Sequence, residues 1–154
     1  MLMPKESMNN KTATLEDAIA IAAKAHKGQI DKAGAPYILH PLRMMMRLKS
    51  EAEMMTAILH DVVEDSSWTI ELLREKGFSE EVLKAVECVT NRESESYEQF
   101  IERAKQNPIA RQVKIADLED NMNILRIGEI KPKDLERLEK YHKSWCILTK
   151  TTIG

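Results

Sequence analysis

Apolar residues recur along this chain at intervals of three and four, and no segment alternates convincingly with period two. Ala18, Ile19, Ile21, Ala22 and Ala25 predict a helix from Leu15 to His26 or Lys27. Thr14 is placed to cap it, Glu16 and Asp17 suit its first turn, and Gly28 stops it. Residues 29–37 carry Gly34 and Pro36 and read as a loop. Pro41 fits the first turn of a second helix running to about Leu48, with His40 at its mouth. Met44, Met45, Met46, Met54 and Met55 read as core filler. Residues 51–64 predict a third helix and residues 69–75 a shorter fourth, ended by Gly77. Ser79 caps a fifth over residues 80–90, and residues 96–105 form a sixth. Pro108 opens a long helix towards Leu125, interrupted by Gly128, and Pro132 begins the last, with Leu135, Leu138, Tyr141, Trp145 and Leu148. The reading is one all-α domain over residues 13–150 behind a loose N-terminus, residues 1–12.

Composition narrows the function. The 154 residues can bury a full core, and a formal charge of −2 gives no electrostatic case for a nucleic-acid partner. No apolar run approaches a membrane span, and the polar N-terminus is not expected to be a signal peptide. Cys88 and Cys146, without a Cys-x-x-Cys, read as reduced thiols and exclude a zinc finger. A cytoplasmic location is the expectation.

The chemistry concentrates in Leu59-His60-Asp61-Val62-Val63-Glu64-Asp65, one imidazole and three carboxylates within six residues. On a helix His60 and Glu64 share a face, as do Asp61 and Asp65. Imidazole with carboxylate is a ligand set for a divalent metal, and two further acids can handle the protons of an attacking water. The plain alternative is a buried histidine hydrogen-bonded to a neighbouring acid. It weakens because four polar side chains on an otherwise apolar helix need a joint reason to approach the core. His40 in Pro36-Tyr37-Ile38-Leu39-His40-Pro41 and Asp117 in Val113-Lys114-Ile115-Ala116-Asp117 could complete such a site. Taken singly, His40 reads as a capping or core histidine and Asp117 as an exposed acid. Arg137 and Tyr141 lie four apart on the last helix, so they share a face and could bind phosphate together.

Together these segments, with Asn121, resemble the HD-domain phosphohydrolases. More narrowly they resemble the hydrolase domain of RelA/SpoT proteins and the small stand-alone alarmone hydrolases such as the metazoan SpoT homologue. The resemblance covers roughly residues 15 to 146. It implies an HD-domain bundle of about eight helices, with His40, His60, Asp61 and Asp117 as ligands of one divalent metal, most simply Mn²⁺. It implies that Glu64 and Asp65 handle the nucleophilic water. Lys32, Tyr37, Lys114, Asn121, Arg137 and Tyr141 match substrate-contacting or metal-flanking positions. The implied reaction is removal of the 3′-pyrophosphate from guanosine tetra- or pentaphosphate, so the partner is a small phosphorylated nucleotide. Nothing fixes the oligomeric state, and a length of 154 residues leaves no room for a synthetase domain.

The departures from the family pattern fall at nucleotide-reading positions. Asp31 stands where the family usually has a base-packing Arg, and Leu118 and Asn123 stand where it has basic residues. Asp31 is therefore expected to weaken base reading and to repel phosphates, so that Asp31→Arg would improve catalysis on the guanine substrate. Two alternatives remain open: a hydrolase of another phosphorylated nucleotide, and an HD scaffold that binds a nucleotide or partner without turnover. The acidic pair Glu64 and Asp65 disfavours the second.

Overall fold

The computed structural model describes residues 11–150. Among the described residues nine α-helices follow one another: α1 (Leu15–Ala25), α2 (Leu39–Met46), α3 (Glu51–Leu59), α4 (Val62–Asp65), α5 (Ile70–Glu75), α6 (Glu80–Cys88), α7 (Tyr97–Gln106), α8 (Pro108–Asn121) and α9 (Pro132–Thr149). A short 3₁₀ turn, Ile124–Arg126, separates α8 from α9. Among the described residues the only β pairing is an isolated bridge between Ile30 and Pro36. The all-α class follows from the spacing of apolar residues. The helix starts follow from capping chemistry: Thr14, Ser50, Thr69, Ser79 and Ser96 each accept a backbone N–H of the first turn.

The expected loose N-terminus lies largely in residues 1–10, outside the described residues. Ala13, the first residue of the expected domain, is buried and its N–H donates to the carbonyl of Gly77 at 3.0 Å. Gly77 has φ +97°, and a Cβ there would lie 2.0 Å from the Lys11 carbonyl oxygen. Only glycine lets the two segments pass this closely.

The third helix is shorter than its apolar pattern predicts. It ends at Leu59, His60 is its C-cap, and α4 begins at Val62 with Asp61 as N-cap. No glycine or proline marks the break, and both residues keep right-handed backbone angles. Met46 also departs from its expectation: it is 78% exposed, whereas Met44 is fully buried.

Helix α3 is the centre of the bundle, packing against α1, α2, α6 and α8. Ile58, Leu59 and Val62 join Leu73, Val82, Leu83 and Val86 in the main core. Ala57 turns the other way, to Met44, Val113 and Ala116. Truncating a fully buried leucine such as Leu59 to alanine should cost about 2–5 kcal/mol. Because α2, α3 and α8 pack on one another, the start of α2, the end of α3 and the late turns of α8 meet at one point. Those are the positions of His40, His60 and Asp117.

Candidate active site

At that point lies the floor of a cavity of about 770 Å³. Nε2 of His40 is 2.9 Å from Oδ1 of Asp117, and Nε2 of His60 is 3.7 Å from the same oxygen. Nε2 of His60 is also 2.9 Å from Oδ2 of Asp61. The ligand atoms of His40, His60 and Asp61 all lie within 4.8 Å of one another.

Each imidazole is held by its other nitrogen. Nδ1 of His60 is 2.6 Å from the carbonyl of Ala57, a pure acceptor in the last turn of α3, so Nδ1 carries a proton and donates. Nδ1 of His40 is 2.6 Å from a carboxylate oxygen of Asp120 and donates to it. Both rings therefore present Nε2 to the same place. Two imidazole nitrogens and two carboxylates, each imidazole fixed through its second nitrogen, suit a divalent transition-metal ion.

Electrostatics around these groups are strong. Burial raises the pKa of Asp61, but the charge and hydrogen bond of His60 outweigh it and bring it down to about 2. Asp117 is held well below the carboxylate range, burial being overcome by Lys114, His40 and His60. Burial alone would lower both histidines, yet the carboxylates around them raise them. Nε2 of each ring thus holds a proton more readily than a free imidazole, at the place where a cation would bind.

Glu64 lines the same cavity, and its Oε1 accepts the backbone N–H of Asn91 at 2.7 Å. Partial enclosure raises its pKa, against the lowering by that N–H. Asp65 is placed differently. Its carboxylate is exposed at the rim, where Oδ2 accepts from Gln29 at 3.4 Å, and it is not part of the cavity wall. The continuous helix expected to carry His60 with Glu64 and Asp61 with Asp65 is interrupted at His60 and Asp61.

The other sequence-predicted residues fall into two groups. Tyr37, Lys114 and Asn121 touch the floor. The Tyr37 hydroxyl donates to Asp61. Nζ of Lys114 donates to Asp117 at 2.7 Å, and the Asn121 amide donates to the same carboxylate at 3.2 Å. Lys32, Arg137 and Tyr141 line the remaining wall, Tyr141 within reach of the charges of Asp117 and Lys114. Burial lowers the pKa of Lys32, and the charge of Arg137 lowers it further, so the two cations share a region that an anion would relieve.

Two features of the wall are not visible from sequence motifs. Arg126 joins it, with Nη1 donating to Asp31 at 3.3 Å and Nη2 to the Asp120 carbonyl at 3.0 Å. Asp31 is a loop builder: its Oδ1 accepts the N–H groups of Ala33 and Ala35, both at 2.9 Å. The carboxylate expected to repel phosphates is thus occupied by two backbone donors and a guanidinium. The available signal was the turn itself, an Asp followed three residues later by Gly34, whose φ is +83°.

The HD domain family model matches residues 18–120. The guanosine-3′,5′-bis(diphosphate) 3′-pyrophosphohydrolase of Aquifex aeolicus is 32% identical over 123 residues, 72% of this chain and 18% of the relative. The enzyme of the same name from Haemophilus influenzae is 33% identical over 136 residues, 78% of this chain and 20% of the relative. The chain therefore spans about a fifth of the length of these curated relatives. A solved structure, described as that of a metazoan orthologue of SpoT that hydrolyses ppGpp, superposes with a TM-score of 0.73 at 26% identity. It covers 93% of this chain and 89% of its own. Among the described residues no helix is long and apolar enough to cross a membrane.

Proposed function

The chain belongs to the HD domain family, and on that premise we propose that it is a metal-dependent phosphohydrolase that removes the 3′-pyrophosphate of ppGpp-type nucleotides. His40, His60, Asp61 and Asp117 hold the divalent cation, most simply Mn²⁺. The observation that carries this reading is the paired orientation of the two imidazoles. Each is tied through Nδ1, to Asp120 or to Ala57, and each turns Nε2 towards Asp117 at the cavity floor. A divalent cation bound there supplies Lewis-acid polarisation of a phosphoryl oxygen and lowers the pKa of water.

The chain's own residues supply the rest. Glu64 is the proton-handling group. Its carboxyl is fixed by the Asn91 N–H, and its raised pKa lets it hold a proton near neutrality more readily than an ordinary glutamate. Asp65, which accepts from Gln29 at 3.4 Å, is the second acid of the pair, outside the cavity wall. Tyr37 keeps its own proton, because burial and the nearby Asp61 raise its pKa, and so it steers Asp61 as a fixed donor. Lys114 and Asn121 hold Asp117 in the same way. Lys32, Arg137 and Tyr141 bind the nucleotide's remaining phosphates, with the Arg fork and Tyr hydroxyl on one helix face.

The names of the relatives support the substrate class. The test is turnover of ppGpp with Mn²⁺ and analysis of the products. Pyrophosphate and the nucleoside 5′-diphosphate are expected in equal amounts, lost on chelation. Release of orthophosphate instead, or cleavage only of other nucleotides, would overturn the substrate assignment. Cation binding with no cleavage of any nucleotide phosphate would favour the binding scaffold.

A further inference from the structure

Asp120 has no exposed surface and is not part of the cavity wall. A buried carboxylate is costly unless it is fully paired. Here three side chains pair it. His40 donates Nδ1–H to its Oδ2 at 2.6 Å. Arg43, one turn further along α2, grips both oxygens, Nε to Oδ1 at 2.7 Å and Nη2 to Oδ2 at 3.0 Å. Arg126 approaches Oδ2 at 3.5 Å and donates to the Asp120 carbonyl at 3.0 Å. The other arm of Arg126 reaches Asp31, which organises the loop before Tyr37.

The spacing on α8 matters. Asp117 and Asp120 are three apart and share a helix face. The His40 ring lies between them, Nε2 towards Asp117 and Nδ1 towards Asp120. One helix thus supplies both a cation ligand and the group that aims the next ligand.

We propose that Asp120 is a positioning residue that joins the two ends of the cavity, holding His40 with Nε2 turned to the cation and Arg126 in the nucleotide-facing wall. This rests on the phosphohydrolase reading. The cation end and the nucleotide end then share one buried carboxylate, and its loss is felt at both. Arg126 is the residue through which the nucleotide senses Asp120.

The experiment combines Mn²⁺ titration calorimetry with steady-state kinetics on ppGpp. It uses the full chain with Asp120→Asn, Asp120→Ala, Arg126→Gln and the double variant Asp120→Asn with Arg126→Gln. Asp120→Ala should raise the Kd for Mn²⁺ about 10–100-fold, the range for removal of a partner that orients a ligand histidine. Asp120→Asn, which keeps an acceptor for Nδ1, should recover part of that loss. Arg126→Gln should raise KM and leave the Mn²⁺ Kd unchanged. The double variant should have a KM no higher than the worse single variant, because both changes cut one link. A purely structural Asp120 would lower Tm in both variants while the folded protein kept the wild-type Kd, and that result overturns the proposal. If Asp120→Ala does not fold, a wild-type Kd in Asp120→Asn overturns it equally. KM changes that multiply in the double variant overturn the link through Arg126. Wild-type protein that binds Mn²⁺ without cleaving ppGpp sinks the substrate reading, yet the Kd series still decides the role of Asp120.

Discussion

The two ends of the cavity are built in opposite ways. At the floor, His40, His60 and Asp117 are buried, sit on three mutually packed helices, and are each held by a second group. At the wall, Lys32 is exposed, Arg126 and Arg137 are half-buried, and the first two lie between helices, Lys32 in a loop and Arg126 in the short 3₁₀ turn. Groups that must meet one ion within a fraction of an ångström need the precision of packed helices. Groups that meet a flexible, charged nucleotide can be carried on loops, which tolerate sequence change. Two departures from the family pattern, at positions 31 and 123, fall at the wall, and the third, Leu118, is buried in the core with Ile101 and Leu148, while the floor keeps every residue that the resemblance implies.

The largest effects should come from the floor. His60→Ala or Asp117→Asn should bring ppGpp turnover to background and abolish high-affinity Mn²⁺ binding, measured by kinetics beside calorimetry. Retained turnover in either variant would erase the distinction between the ends. Next comes Glu64→Gln, which should lower kcat about 10²–10⁴-fold with Mn²⁺ affinity intact. Asp65→Asn should cost less, since its carboxylate is outside the cavity wall; an equal loss would mean that Asp65 enters the site with substrate.

Wall substitutions should be milder and act on KM. Lys32→Ala and Arg137→Ala should each raise KM about tenfold, near the low end for a hydrogen bond to a charged group. Asp31→Arg should raise KM as well, contrary to the improvement expected from sequence. It removes the acceptor of two backbone N–H groups and sets a second guanidinium beside Arg126. Asp31→Asn, which retains an acceptor for the turn, should be closer to wild type. A gain in kcat/KM for Asp31→Arg would restore the simpler view of Asp31 as a missing base-packing Arg.

The smallest effects concern pH. His40 and His60 have raised pKa values in the cation-free protein, so their contribution to stability is complete below their unfolded value of about 6.5 and is lost as pH rises through the folded values. Asp61 and Asp117 are depressed, so their contribution is present above about pH 4 and is lost as pH falls through the folded values. Thermal melts should therefore show the cation-free protein declining above about pH 6.5. The Mn²⁺-bound protein should gain over it in the same range, as the Nε2 protons cease to compete. Parallel pH curves with and without Mn²⁺ would place the cation elsewhere.

What could be read in the sequence follows the same division. Helix positions came from apolar spacing and caps, both local signals. Adjacency marked only His60 to Asp65; His40 and Asp117 joined the floor through the family resemblance of residues 36–41 and 113–117. The break at His60 and Asp61 carries no Gly or Pro, and there one helix ends and the next begins without any local mark. Asp120 looked like one acid among several in a mixed-charge helix. Its burial depends on Arg43 and His40, 77 and 80 residues away. Arg126 lies one turn beyond the expected basic positions, and its place in the wall depends on Asp31, 95 residues away.

Anomalous diffraction at the manganese edge, from crystals grown with Mn²⁺, tests the floor most directly. The account predicts one strong peak enclosed by Nε2 of His40, Nε2 of His60 and the carboxylates of Asp61 and Asp117. No peak there at saturating Mn²⁺, or a peak held by other side chains, would contradict it.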